Sequence, residues 1–215
     1  MDFFNFEDIE VFSVYGGKRY LPQDTQHQAI GKFIREYPMA KTAYWAHEVA
    51  DRLPGFTMEI KSFWQKYGYF SSYSWARIFR PEDKYRDIFF TVGVDRGHKK
   101  GLVYKLDFQR DRSSELSDAK KRMCDLFIKR YKLEWQTVVT TELNNLDWEK
   151  LIDATVDFIS RHTGLYDEMV AQAWRRSARI CWNTNNWLCP SGKIGKAPQK
   201  DSYEQLYGYG NEEWL

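Results

Sequence analysis

No run of about 18 apolar residues occurs in this chain, so the sequence offers no membrane-spanning helix. Cysteine is scarce and irregularly placed, at Cys124, Cys181 and Cys189, which excludes a disulfide framework and fits no zinc-ligand spacing. The opening stretch MDFFNFEDIE is acidic and lacks the charged-then-apolar pattern of a secretory signal. The expectation is a cytoplasmic protein with free thiols. The histidines His27, His47, His98 and His162 stand far apart and form neither an HExxH pair nor a cluster. No nucleophile elbow is present. Residues 191–196 read Ser-Gly-Lys-Ile-Gly-Lys, but the phosphate-loop spacing is missing and Ala197 stands where the metal-binding hydroxyl would be. The expected inventory is no cofactor, no metal and no catalytic residue. One fragment stands against that, the triplet Glu59-Ile60-Lys61 with Asp24 or Asp51 upstream. A metal-dependent nuclease uses an Asp, a Glu and a Lys around a divalent cation, whereas the plain reading of the triplet is a surface ion pair.

Net charge is also small, +2 over 215 residues, and by itself points to no partner. Its distribution says more. Residues 96–132 hold twelve Lys/Arg against five Asp/Glu, a net of +7, and residues 133–170 hold two against eight, a net of −6. Such a separation suits a basic face that attracts a polyanion, or two helices whose opposite charges meet.

What is abundant is aromatic: nine Trp, fourteen Tyr and fourteen Phe. Most belong to a core, and the excess beside basic residues is what base-stacking surfaces use. The pattern is clearest from Tyr73 to Phe108, which predicts three consecutive antiparallel strands. Tyr73, Trp75, Arg77 and Phe79 alternate with Ser74, Ala76, Ile78 and Arg80, the period-two signal of a strand, and Pro81 ends it. Ile88 to Val94 is apolar on nearly every residue, as in a strand covered on both faces. Leu102, Tyr104, Leu106 and Phe108 line one face of the third strand. Between the last two lies the most basic loop of the chain, with Arg96, His98, Lys99 and Lys100. It reads either as a solvated hairpin tip or as a finger that contacts phosphates.

Around the meander the chain predicts a short strand from Ile9 to Tyr15, ended by Gly16 and Gly17. A helix capped by Asp24 carries Ile30, Phe33 and Ile34, Pro38 interrupts it, and a second helix runs from about Met39 to Leu53. Residues 56–67 fit a strand through Phe56, Met58 and Ile60 or a helix through Ile60, Phe63, Trp64 and Tyr67, and the strand leading to the meander is the favoured reading. Ser114 or Ser117 caps a helix with the stripe Leu116, Ala119, Met123, Leu126 or Phe127, and Ile128, and with Lys120, Lys121 and Arg122 on its outer face. Val138 and Val139 suggest a short strand. A helix begins at Asn145 or Asp147 and stops at Gly164, and another runs from about Leu165 to Cys181. Arg175, Arg176 and Arg179 complement its dipole. From Trp182 the composition turns to Gly, Pro, Asn and aromatics, an extension expected to dock through its rings onto this chain or a partner. A chain ending on Leu215 suggests that a second domain continues beyond it.

The meander, with SYSWARIF, FFTVGV and LVYKLDF, resembles the N-terminal DNA-recognition domains of modification-dependent restriction proteins of the McrB type. The tail, ICWNTNNWLCPSGKIGK and GYGNEEWL, looks like segments of large bacterial restriction-type proteins. The chain departs from those proteins in having no GTPase motor and no HNH histidines. The resemblance implies a recognition module that leaves cleavage to a nuclease or motor domain or subunit of the same system. Such modules extrude a modified base into an aromatic pocket, which here would be walled by Tyr73, Trp75 and Phe79, with Arg77 on the base or a phosphate. The plain reading of these four is aromatic core with Arg77 at its rim.

The expectation is therefore an α+β fold, a central antiparallel sheet of about four or five strands flanked by about five helices. Residues 1–181 would form a recognition-type domain and 182–215 the aromatic extension. Its partner would be double-stranded DNA, unmodified or carrying a modified base, with no membrane. Arg96, Lys99 and Lys100 would hold phosphates, and Lys120, Lys121 and Arg122 would extend the basic face. The alternative is a protein-interaction domain docking through the extension.

Overall fold

A computed structural model describes residues 1–82, 87–95, 101–133 and 136–174, and the backbone of two short strands at 187–188 and 194–195. The chain divides into two units, Met1–Arg175 and Arg176–Leu215. In the second, strands Trp187–Leu188 and Ile194–Gly195 pair antiparallel. All else below concerns the first unit.

Its helices are α1 (Phe6–Tyr15), α2 (Thr25–Ile34), α3 (Ala40–Asp51), α4 (Asp118–Arg130) and α5 (Trp148–Trp174). Its strands are β1 (Thr57–Ile60), β2 (Gln65–Lys66), β3 (Tyr69–Phe70), β4 (Tyr73–Phe79), β5 (Ile88–Asp95), β6 (Gly101–Phe108) and β7 (Gln136–Val139). Five of them form one antiparallel sheet in the order β1-β4-β5-β6-β7, and β2 and β3 form a separate hairpin. The fold is the expected α+β architecture.

Four local expectations need correction. Residues 9–15 lie in helix α1, not in a strand. Asn5 caps it, accepting from the Asp8 N–H at 3.0 Å, while the Asp8 carboxylate accepts from the Asn5 N–H at 2.9 Å. Ile9 and Phe12 then fall on one buried side. Pro38 does not interrupt the helical path from α2 to α3. It sits in a π turn, Arg35–Met39, where a residue without an N–H is accommodated. Gly164 does not stop a helix either, and α5 runs through it. A glycine inside a helix costs only about 1 kcal/mol against alanine, and the buried residues on both sides, Phe158 and Ile159 before it and Tyr166, Met169 and Val170 after it, hold the helix against the core. In α4, Ala119 is exposed and so is Leu126, while Phe127 takes the buried position with Cys124 and Ile128. Burial pushes the Cys124 thiol up to about 12, so it stays protonated.

The core lies between one face of the sheet and the helices. Ala76, Ile78, Phe90, Val92, Leu102 and Leu106 supply the sheet side. Trp45 of α3 is fully buried, touches Tyr104 edge-on and donates from Nε1 to the Thr155 hydroxyl at 3.2 Å. Phe158 and Tyr166 of α5 pack on Phe90 with centroids 6.1 and 5.1 Å away. Arg80, just past β4, pairs with Asp167 of α5 through two bonds of 3.1 Å. The sheet is thereby fixed against the helices, and its alternate residues are turned the other way.

Candidate functional site

The second face of the sheet has a different chemistry. Strand period places Tyr73, Trp75, Arg77 and Phe79 of β4 on it, since Ser74, Ala76 and Ile78 are buried towards the helices. Register then sets their neighbours. Glu59 of β1 and Thr91 of β5 flank Arg77, Gly93 faces Trp75, and Lys105 and Asp107 of β6 stand opposite Thr91 and Phe89. Phe89 and Val103 are buried but lie outside the main core cluster. The expected double coverage of β5 is therefore observed.

Arg77 is only 4% exposed. Its guanidinium donates to Glu59, the Nε bond being 2.9 Å, and lies 5.1 and 5.6 Å from the Phe79 and Phe89 ring centres. Lys61 reaches the other oxygen of Glu59 at 2.7 Å. Burial pushes the Glu59 carboxyl up, but the bonds from Lys61 and Arg77 and their charges bring it below its ordinary value. Lys105 pairs with Asp107 at 2.7 Å. The indole of Trp75 stacks on Phe89, with centroids 5.7 Å apart and planes 23° apart. Gly93 permits this arrangement, because a Cβ there would lie 2.1 Å from the Ser74 carbonyl oxygen and 2.8 Å from the Trp75 Cα.

Two adjoining cavities open on this face, of about 380 and 320 Å³. Tyr73, Trp75, Gln109 and Asp111 line both. Lys61, Phe63, Lys66 and Arg77 also line the first, with the carboxylates Asp87 and Glu115, and Phe89, Gly93 and Lys105 belong to the second. The loop between β6 and α4 is held firmly. Gln109 donates its N–H to the Asp87 carbonyl at 2.8 Å, and Asp87 accepts from the Ser114 hydroxyl and the Glu115 N–H at 2.9 and 2.6 Å. Asp111 accepts from the Ser113 hydroxyl and N–H, at 2.6 and 2.9 Å. Those bonds, with help from Gln109, lower its carboxyl to about 2, so it is anionic at any working pH.

Tyr73, Trp75 and Arg77 thus come together around the first cavity. Phe79 does not join them; it lies under Arg77 and lines neither space. Arg77, spoken for by Glu59, is placed to brace the wall. Lys120 lies over the Trp174 ring at 5.6 Å, Lys121 donates to the carbonyls of Arg110 and Asp111 at 3.0 and 3.1 Å, and Arg122 is exposed on α4. Arg96, His98, Lys99 and Lys100 lie outside the described residues, as do Arg175, Arg176, Arg179 and the side chains from 182 onward.

Sequence reading missed Phe63, Lys66, Gln109 and Asp111. The signal for the first two was the Tyr67-Gly68 pair, a two-residue hairpin connection between short aromatic runs. The nuclease fragment fares differently. Glu59 is engaged by Lys61 and Arg77, Asp24 caps α2, and Asp51 lies 3.4 Å from His47. Among the described residues no group of three or more His, Cys, Asp or Glu is placed to hold a metal ion. No described helix is long and apolar enough to cross a membrane. No protein-family model, no curated protein and no solved structure matches this chain.

Proposed function

We propose that the second face of the sheet receives one extruded nucleobase of duplex DNA, and that the chain is a non-catalytic recognition module of a bacterial restriction or defence system. It would work in the cytoplasm beside a separate nuclease or motor subunit. The observation that carries this reading is the shared wall of the two cavities. Tyr73 is 46% exposed, Trp75 is half-buried on its Phe89 support, and both face a space of about 380 Å³ rimmed by Lys61 and Lys66. Aromatic faces beside cations are what stacking on a base and holding its phosphates require. Asp111, fixed and anionic, is an acceptor suited to the exocyclic amino group of a base. The basic loop at 96–100 would add phosphate contacts.

The test is fluorescence-polarisation binding to short duplexes, unmodified and with modified cytosines, at two salt concentrations. Salt-sensitive binding, weakened by the combined changes Arg96→Ala, Lys99→Ala and Lys100→Ala and strongest for one duplex, is the expected result. No binding at low salt would overturn the reading.

A further inference from the structure

The hairpin beside the first cavity carries an exposed tyrosine at its turn that the core does not account for. Strands β2 and β3 are joined by Tyr67 and Gly68, with φ of 55° and 82°. Positive φ at both positions is the signature of a type I′ turn, which favours Asn and Gly. A tyrosine there is held in a left-handed conformation that a bulky side chain rarely adopts. It gains no burial in return, being 88% exposed.

The backbone of the hairpin, the turn residue Gly68 included, is by contrast well held. Gly17 and Tyr20 donate to the carbonyls of Phe70 and Gly68 at 2.9 and 2.7 Å, and Phe70 donates back to Lys18 at 2.9 Å. Trp64 and Phe70 enter a ring cluster with Tyr20, the three centroid distances running from 4.9 to 6.3 Å. Arg35 covers Trp64 at 4.9 Å, and a Cβ on Gly31 would come within 2.7 Å of it. The hairpin is therefore a stiff finger with a bare aromatic tip. Lys66 of its first arm lines the cavity, as do Phe63 before the hairpin and Ser71 after it. Lys66 also lies 5.3 Å from the Tyr67 ring centre, setting a cation next to the tip.

We infer that Tyr67 is a wedge. It enters the stack of duplex DNA at the position the extruded base leaves, while Lys66 holds a flanking phosphate and Tyr73 and Trp75 receive the base. This rests on the reading of the cavity as a base pocket. The physical reason is economy of unstacking: an inserted side chain offsets the loss of neighbour contacts when a base leaves the helix. The strained φ at Tyr67 is then retained for that contact.

The experiment compares two duplexes, one fully paired and one carrying a mismatch at the target base, each with 2-aminopurine beside the target. Wild-type protein should raise the 2-aminopurine emission of both. Tyr67→Asn suits a left-handed turn and should fold at least as well as wild type. It should weaken binding to the paired duplex roughly tenfold, the effect of one lost base–aromatic stack. The mismatched duplex, already open, should lose less than about threefold by the same scale. Tyr67→Phe should behave as wild type, because stacking needs the ring and not the hydroxyl. Equal losses on both duplexes, or none on either, would overturn the wedge while leaving the base pocket standing. Absence of wild-type binding to both would overturn both.

Discussion

The two faces of the central sheet are built from the same strands and differ in almost everything else. On the helix side Ala76, Ile78, Phe90, Val92 and Leu106 meet apolar rings and aliphatic chains, and the contacts are without direction. On the other side Glu59, Arg77, Lys105 and Asp107 are interleaved with Trp75 and Phe89, and each charge has a set partner. Even the ion pairs differ between regions. Asp8 and Lys41, among the helices, are 0% and 5% exposed at the side chain, with a bond of 2.7 Å. Arg77 is 5% exposed, but Glu59 is 39% exposed. One face holds the fold together, and the other mixes buried Arg77 and Phe89 with Tyr73 and Glu59, which reach water.

The comparison can be broken most severely on the helix side. Phe90→Ala should cost about 3–5 kcal/mol in denaturant unfolding, since the Phe90 ring is buried between Phe158 and Tyr166. Lys41→Met comes next, at on the order of 3 kcal/mol, because it removes the cation against which the Asp8 carboxylate is buried. Adding Asp8→Asn, which removes the charge but keeps an acceptor for the Asn5 N–H, should restore much of that loss, and failure to do so would mean that the charge pair is not what this spot depends on. Arg77→Ala should cost less, about 1–2 kcal/mol, since Glu59 keeps Lys61 and reaches water. An Arg77→Ala loss as large as that of Lys41→Met would erase the distinction between the faces. Gly164→Ala is the smallest change and the only stabilising one. A Cβ there meets nothing within 4 Å, so a gain of about 0.5–1 kcal/mol is expected in thermal unfolding.

A pH titration sharpens the contrast without mutation. The Asp111 carboxyl falls from an ordinary 3.8 to about 2 in the folded protein. A lowered folded value means that its contribution is full above the ordinary value and is lost as pH falls through about 2. Carbon-detected NMR of the Asp111 carboxylate should show that midpoint, and a midpoint near 3.8 would mean that the loop is not held as described.

The meander was legible because alternation in β4 and continuous apolarity in β5 follow directly from strand period and double coverage. The same alternation put Tyr73, Trp75 and Arg77 on one face. What it could not supply was register. Glu59 opposite Arg77 is a pairing across 18 residues of chain, and the two had to be read separately as a nuclease fragment and a phosphate ligand. The helix errors share one cause. Pro38 and Gly164 are local breakers, and in both places burial on either side outweighs them. Residues 9–15 misled for the converse reason, because the capping pair Asn5 and Asp8 lies outside the stretch that looked like a strand.

Tyr73→Ala separates the two faces most directly. Tyr73 is half exposed, lines both cavities and lies outside the core cluster. Its denaturation midpoint and its polarisation binding curve to a target duplex should be measured on the same preparation. The prediction is unfolding within about 0.5 kcal/mol of wild type and binding weakened roughly tenfold or more. Unchanged binding, with the fold intact, would contradict the assignment of this face as the place where the base is received.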